Sequence, residues 1–315
     1  MTFQSIGPAR VSADAAQIHK ELAERGLHPV ARIRIAPMRP VFDIAFDWVA
    51  TLLAVMMVNR WGAVSAVPAL LIIANRQRAI GNLLHEAGHR NLYRVPWLND
   101  WIGRLFLAPA LLIDLDRYRH THARHHAMLG LSGHDPDYIV PGTAHFPDWW
   151  GTYRRLVFSG ACWLGAMAGH LSEPKVGMMR KLALIGWWVA LCVLLASMAG
   201  LRTALTFVLL WHVAKATCFH AITVVREMCD HYGLKPGGIF SFTRDIVAPP
   251  HVRWLVHPHY NGYHLTHHLM PAVPYYRLPA AWKAVSRLPS YRASGLVCQT
   301  YFRGPGCVFR GTEAP

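Results

Sequence analysis

The sequence is short of charge, and shortest of acid. Only 16% of its 315 residues are charged, and Lys and Arg outnumber Asp and Glu by 32 to 17. Soluble domains carry about a quarter charged residues. A chain that instead has 53% hydrophobic residues reads as a membrane protein. Paired cysteines are missing as well. The six cysteines, at positions 162, 192, 218, 229, 298 and 307, form no C-x-x-C and lie partly in apolar segments. That argues against a disulfide framework and for a reduced, cytosol-facing protein. No short apolar core with a small-residue cleavage site follows Met1, so no secretory signal is expected. The formal net charge of +15 comes mostly from arginine, with no basic run interleaved with aromatics. Nucleic acid is therefore a poor partner, and anionic lipid headgroups or an acidic protein are better ones.

Long apolar runs organise the rest. The first two, residues 41–58 and 61–74, are separated only by Asn59-Arg60, and the last two, 182–199 and 203–223, by Gly200-Leu201-Arg202. Each pair reads as a helical hairpin through the bilayer, although the first two runs fall short of the roughly 20 residues a span needs. Arg76, Arg78, Arg180, Lys181 and Arg226 flank the same ends of these hairpins and mark them as cytoplasmic. The expectation is an all-α integral membrane fold with four transmembrane helices in two hairpins and both termini in the cytosol. Residues 1–40 form an N-terminal segment, 41–280 the membrane domain, and 281–315 a cytosolic tail. Length leaves no room for a fused redox domain. Residues 2–27 are expected to hold an amphipathic helix lying on the membrane. Asp43 and Asp47 are expected at the interface, 104–113 as an interfacial or re-entrant segment, 155–171 as an interfacial helix, and Pro147 to Trp150 as a headgroup-level aromatic anchor.

Three histidine clusters carry the chemistry. His85-Glu86-Ala87-Gly88-His89 places two imidazoles at i and i+4. His122-Ala123-Arg124-His125-His126 and His264-Leu265-Thr266-His267-His268 share H-x-x-H-H. On a helix, i, i+3 and i+4 fall on one face, so each cluster aims its nitrogens at one spot. A lone histidine is ordinarily a satisfied polar residue, but eight in three such groups read as a metal site. Imidazole suits iron, zinc and copper, and eight or nine nitrogens exceed the coordination of one ion, which implies two metals, each with an open position. Next to a bilayer, that suggests dioxygen activation against a lipid-phase substrate. His220, Val224, Glu227 and His231 share a face, so the last span can continue beyond the bilayer and bring His231 to the metal. Glu86, Asp116, Asp135, Glu227 and Asp230 are candidate acceptors for the outer imidazole nitrogens. His85-Glu86-x-x-His89 also spells a zinc metalloprotease motif with Glu86 as general base, but that reading leaves both H-x-x-H-H clusters unexplained.

These boxes, their order and their placement around two hairpins resemble the membrane-bound fatty acid desaturase family over roughly residues 45–280. The likeness includes Asp135-Pro136-Asp137 after the second box and Tyr263 to Pro271 around the third. The resemblance implies four transmembrane helices with a cytosolic cap holding two irons. It also implies O2 as co-substrate, two electrons from outside the chain, and removal of hydrogens from an unactivated acyl chain. Carried over by position, the iron ligands are His85, His89, His122, His125, His126, His264, His267 and His268, with His231 as a ninth. Asp230 stands where a glutamate is common in bacterial relatives, and Glu227 where acyl-CoA members have asparagine. His120 lies off the ligand face. Lys235-Pro236-Gly237-Gly238 faintly resembles a cytochrome b5 haem loop but lacks its histidine, and reads as a turn. The leading expectation is desaturation of an acyl-lipid or acyl-thioester in a bacterial inner membrane. Electrons would come from a ferredoxin-like or b5-like donor with its reductase. Hydroxylase, epoxygenase, ketolase and decarboxylase outcomes, and a small secondary-metabolite substrate, are alternatives within the same family.

Overall fold

The computed structural model describes residues 8–27, 36–141, 148–304 and 306–310, and the chain is mostly helical. Its helices are α1 (Pro8–Glu24), α2 (Met38–Trp61), α3 (Ala66–His89), α4 (Pro96–Ile102), α5 (Leu115–Ala127), α6 (Trp149–Val157), α7 (Gly160–Ala168) and α8 (Met178–Ala199). They continue as α9 (Leu201–Ala214), α10 (His220–His231), α11 (Ile239–Phe242), α12 (Pro250–Val256), α13 (His264–Leu269), α14 (Leu278–Val285) and α15 (Pro289–Ser294). Strands β1 (Asp245–Ile246) and β2 (Val297–Cys298) pair in parallel, Asp245 opposite Val297 and Ile246 opposite Cys298. Two compact units interleave along the chain: residues 36–118 with 155–224, and residues 1–35 with 119–154 and 225–315.

Among the described residues, three helical stretches are long and apolar enough to cross a membrane: Met38–His89, Met178–Ala199 and Leu201–His231. The first is broken at Gly62–Ser65, where Gly62 takes φ 68 and ends α2. The last has neither proline nor glycine and stays helical through one wide turn at Lys215–Phe219, until Gly233 at φ 79. In the unit built from these helices, α2, α3 and α9 pack together and α8 packs on α9. Their outer faces expose Phe42, Phe46, Leu53, Met56, Val67, Val193 and Leu205, the inverse of a soluble surface. Asp47 is not interfacial as expected. It is fully buried and pairs with Arg76 at 2.6 Å, because a carboxylate on the inner face of α2 needs a cation from α3. Asp43 is held by Arg39 one turn earlier at 2.7 Å.

The apolar stretch expected to be re-entrant is irregular: a wide turn at Gly103–Leu107, a tight one at Pro109–Leu111, then Leu112 at φ 61. Broken backbone in an apolar setting needs donors for its carbonyls, and this unit supplies them from side chains. Trp187, Trp48, Trp188 and Trp211 donate their indole N–H to the oxygens of Leu105 (2.8 Å), Phe106 (3.1 Å), Pro109 (3.0 Å) and Ala110 (3.1 Å). Lys215 donates to Leu111 at 2.9 Å and to Met167 at 3.1 Å, which accounts for a lysine inside an apolar helix. His220 meets the Val157 oxygen at 3.1 Å and His212 the Val208 oxygen at 3.1 Å. After α6, helix α7 exposes Trp163 and Leu164, as an interfacial helix would.

The other unit corrects two expectations. Helix α1 forms, but its apolar stripe is covered by protein and not left open for a membrane. Its Ile18 and Leu22 are buried in a core with Leu265, Leu269, Ile239 and Phe242, since an apolar stripe is covered best by protein of matching shape. Asp14 on α1 also accepts from the N–H groups of Ile239 (2.7 Å) and Phe240 (3.3 Å), capping α11. The turn expected at Lys235 to Gly238 precedes this cap, with Gly238 at φ 136. Trp149 is likewise buried, packed on Tyr232 and Phe309 with Arg244 over its ring, so it is no headgroup anchor. Trp150 is exposed, and Pro147 lies outside the described residues.

Candidate metal centre

The second and third boxes sit on helices whose starts are capped by aspartates. Asp114 precedes α5 and accepts from the Arg117 N–H at 2.8 Å, and Asp245 accepts from the Thr266 N–H of α13 at 3.0 Å. With both helices formed, the i, i+3 and i+4 spacing turns His122, His125 and His126 to one face of α5, and His264, His267 and His268 to one face of α13.

Four imidazoles from three helices meet in one place. His125, His231, His264 and His268 are all buried, and their ring nitrogens lie within 4.8 Å of one another. Nε2 of His264 is 2.9 Å from Nε2 of His231 and 3.1 Å from Nε2 of His268. Nitrogens ligating one ion at about 2.1 Å lie roughly 3.0 Å apart when their bonds are at right angles, so this spacing is that of a coordination shell. The outer nitrogens support the same reading. His125 Nδ1 faces Asp135 at 2.7 Å, and His231 Nδ1 faces the Phe242 carbonyl at 2.8 Å. Each of those bonds fixes the tautomer that leaves Nε2 as the inward lone pair. The residues fit a resident metal ion.

Electrostatics agree for the third box. Burial holds His264 and His268 well below the ordinary histidine range, so both are neutral and able to donate a lone pair at pH 7. At His125 burial opposes the charge, but Asp137 and Asp135 outweigh it and raise the ring's pKa. Asp135 is itself anchored by the N–H groups of Gly130 (2.8 Å) and Asp137 (2.9 Å). Asp230 is buried beside Arg226 at 2.9 Å, with His257 at 3.2 Å and Nδ1 of His264 at 3.8 Å.

A second group gathers in the same unit. His126 Nε2 lies 3.1 Å from His122 Nε2 and 3.2 Å from His267 Nε2. In the other unit, the rings of His85 and His89 are 4.8 Å apart at the end of α3, and Glu86 meets His85 Nδ1 at 3.2 Å. Arg90 in the left-handed conformation stops that helix directly after His89. Glu227 is exposed on α10 and His120 is exposed on α5. Asp116 pairs with Arg104 at 2.8 Å and Arg180 at 3.7 Å. Sequence reasoning missed His257, Asp245, Tyr291 and Tyr301. The one signal at Asp245 is an aspartate directly before the apolar Ile246-Val247-Ala248, and His257 carries no spacing that distinguishes it.

The fatty acid desaturase family model matches residues 59–301, well over half of the chain and all three boxes. The chain belongs to the fatty acid desaturase family. Among curated relatives, the dihydrorhizobitoxine desaturase of Bradyrhizobium elkanii is 26% identical over 242 residues, covering 71% of this chain and 68% of that protein. Family and relative together support a desaturase-type, oxidoreductase activity, and the family implies a lipid substrate and a membrane setting.

Proposed function

We propose that the protein is a membrane-embedded desaturase that introduces a double bond into an unactivated hydrocarbon chain, using O2 and two irons. The observation that carries this reading is the buried quartet of His125, His231, His264 and His268, with nitrogens at coordination spacing in a chain of the desaturase family. Imidazole-only ligation suits a redox metal better than a hard cation, and it leaves the zinc protease reading without a role for the quartet. His125, His231, His264 and His268 would hold one iron, and His122, His126 and His267 would contribute to the other; His85 and His89 are further candidate ligands by the family resemblance. When bound, iron supplies dioxygen activation. The chain's own part is to hold neutral imidazoles at fixed orientation and to keep bulk water away from a buried site. Asp135 and the Phe242 carbonyl keep Nδ1 of His125 and His231 protonated. Asp230 sets the charge beside His264 and Glu86 the charge beside His85, and Glu227, exposed on α10, is a further candidate acid.

Four spans in two hairpins with a cytosolic cap are the topology this reading assigns. The three apolar stretches support it, the first of them divided at Gly62. Both termini and the metal centre face the cytoplasm of a bacterial inner membrane. Electrons come from an external acidic ferredoxin-like or b5-like protein with its reductase, to which the +15 chain is complementary. The relative's name favours a second substrate reading, a small molecule in place of an acyl chain.

Mass spectrometry of total lipids and small metabolites tests both. A host expressing the protein with a ferredoxin and its reductase should accumulate a product lacking two hydrogens, and a host expressing His125→Ala should not. A hydroxylated product would contradict desaturation, and identical lipid and metabolite profiles with active donor present would refute the proposal.

A further inference from the structure

Two buried carboxylates hold the third histidine box from behind, and both lead into the carboxy-terminal part of the chain. Asp245 accepts from Thr266, between the box histidines, at its N–H (3.0 Å) and its hydroxyl (2.6 Å). Its Oδ2 also accepts from the Tyr291 hydroxyl at 2.5 Å. Asp230 lies 3.8 Å from Nδ1 of His264 and presents Oδ1 to Nε2 of His257 at 3.2 Å. The other ring nitrogen of His257 meets the Tyr301 hydroxyl at 2.8 Å. His257, Tyr291 and Tyr301 are 1%, 3% and 2% exposed, and none of them lies in a histidine box.

The donor directions are consistent along the longer chain. Asp230 can only accept, so His257 donates from Nε2, which leaves Nδ1 to accept from the Tyr301 hydroxyl. Both ring nitrogens of His257, the Tyr301 hydroxyl and Oδ1 of Asp230 are therefore partnered along this line. A metal-ligating imidazole depends on the group facing its outer nitrogen for its ring rotation and basicity. His264 has Asp230 in that place as a charge 3.8 Å from Nδ1, an ion-pair contact and not a hydrogen bond. Arg226 engages one oxygen of Asp230 at 2.9 Å, and His257, itself fixed by Tyr301, engages the other. Asp245 does the equivalent work on the backbone: with Tyr291 on its far side, it fixes the turn that separates His264 from His267.

We infer that His257, Tyr301 and Tyr291 are positioning residues of the metal centre, acting on the third box through Asp230 and Asp245. The carboxy-terminal segment is thus part of the scaffold that orients the ligands, and not a passive tail. This rests on the metal-centre reading above.

The experiment uses full-length protein purified in detergent, as wild type, His257→Leu, His257→Gln, Tyr301→Phe and Tyr291→Phe. Three quantities are measured: iron affinity by chelator competition, the visible spectrum after cobalt(II) substitution, and the unfolding midpoint of metal-stripped protein. His257→Leu, one contact beyond the group that faces a ligand, should weaken iron binding by up to about 10-fold, the lower end of the loss usual for a ligand's direct partner, and shift the cobalt bands. His257→Gln keeps a donor to Asp230 and should recover most of that loss. The two Tyr→Phe variants should weaken binding and shift the bands in the same sense. If His257→Leu fails to fold, Tyr301→Phe, which removes one hydroxyl, decides the matter. Unfolding midpoints that fall while iron affinity and cobalt bands stay at wild-type values would overturn the inference. Wild-type protein that binds no metal would overturn the metal-centre reading itself, and the inference with it.

Discussion

Asp135 offers a worked test of how the quartet is held. Its carboxylate takes three donors: His125 Nδ1 at 2.7 Å, Gly130 N–H at 2.8 Å and Asp137 N–H at 2.9 Å. Asp135→Ala removes both acceptor oxygens, and with them all three hydrogen bonds, at a position that is 5% exposed. The orphaned Gly130 N–H alone costs about 1–3 kcal/mol of fold stability. Loss of the partner behind His125 should lower metal affinity about 10–100-fold, or about 1.4–2.7 kcal/mol. Asp135→Asn separates two contributions. Its carbonyl can still accept from His125, so the tautomer survives, but its amide N–H2 opposes the Gly130 N–H. The Asn variant should therefore lose stability much as Ala does while retaining more of the metal affinity. Chelator competition followed by elemental analysis reads the affinity, and thermal unfolding in detergent reads the stability. A folded Asp135→Ala protein with wild-type iron affinity would refute the argument that this carboxylate orients a ligand.

Other residues carry predictions of the same kind. His267→Ala should lower iron content and abolish turnover, and full activity in that variant would remove His267 from the ligand set. Arg76→Met strands the buried Asp47 carboxylate and should destabilise by about 3–5 kcal/mol, whereas Arg76→Met with Asp47→Leu should recover most of the loss; equal unfolding midpoints for the single and double variants would contradict the pairing. Trp211→Phe keeps the ring but withdraws the donor from the Ala110 carbonyl, and should cost about 1–3 kcal/mol, checked by the same unfolding assay. Burial pushes the Asp245 carboxyl up to about 6 from its ordinary 3.8. The stability it contributes is complete below the lower value and is lost as pH rises through the higher one. The difference in unfolding midpoint between wild type and Asp245→Asn should therefore change between pH 5 and pH 7, and a constant difference would contradict the raised value.

Much of this centre was legible in the sequence because its information is local. An i, i+3, i+4 spacing needs only a helix to become a face, and both H-x-x-H-H boxes are helical. His231 was reachable by the same reasoning, since nothing between Leu201 and His231 breaks the helix. What was misread depends on partners far along the chain. Asp47 looked interfacial because Arg76, its counter-ion, is 29 residues away. Helix α1 has an apolar stripe that membrane and protein could equally cover, and only the core around Leu265 and Leu269 decides for protein. Trp149 next to exposed Trp150 shows the same limit: two adjacent indoles met opposite environments, and no periodicity marks which is buried. The side-chain donors around residues 105–112 were individually visible as odd residues in apolar helices. Their common purpose appears only when the irregular carbonyls they satisfy are placed beside them.

Metal stoichiometry tests the two-iron centre most directly. Iron should be measured per chain in detergent-purified wild type, His264→Ala and His122→Ala, each reconstituted anaerobically with ferrous iron. Wild type should bind two irons and each variant about one, because the two substitutions damage different sites. One iron in wild type, or a single substitution that leaves both irons bound, would contradict the two-iron centre.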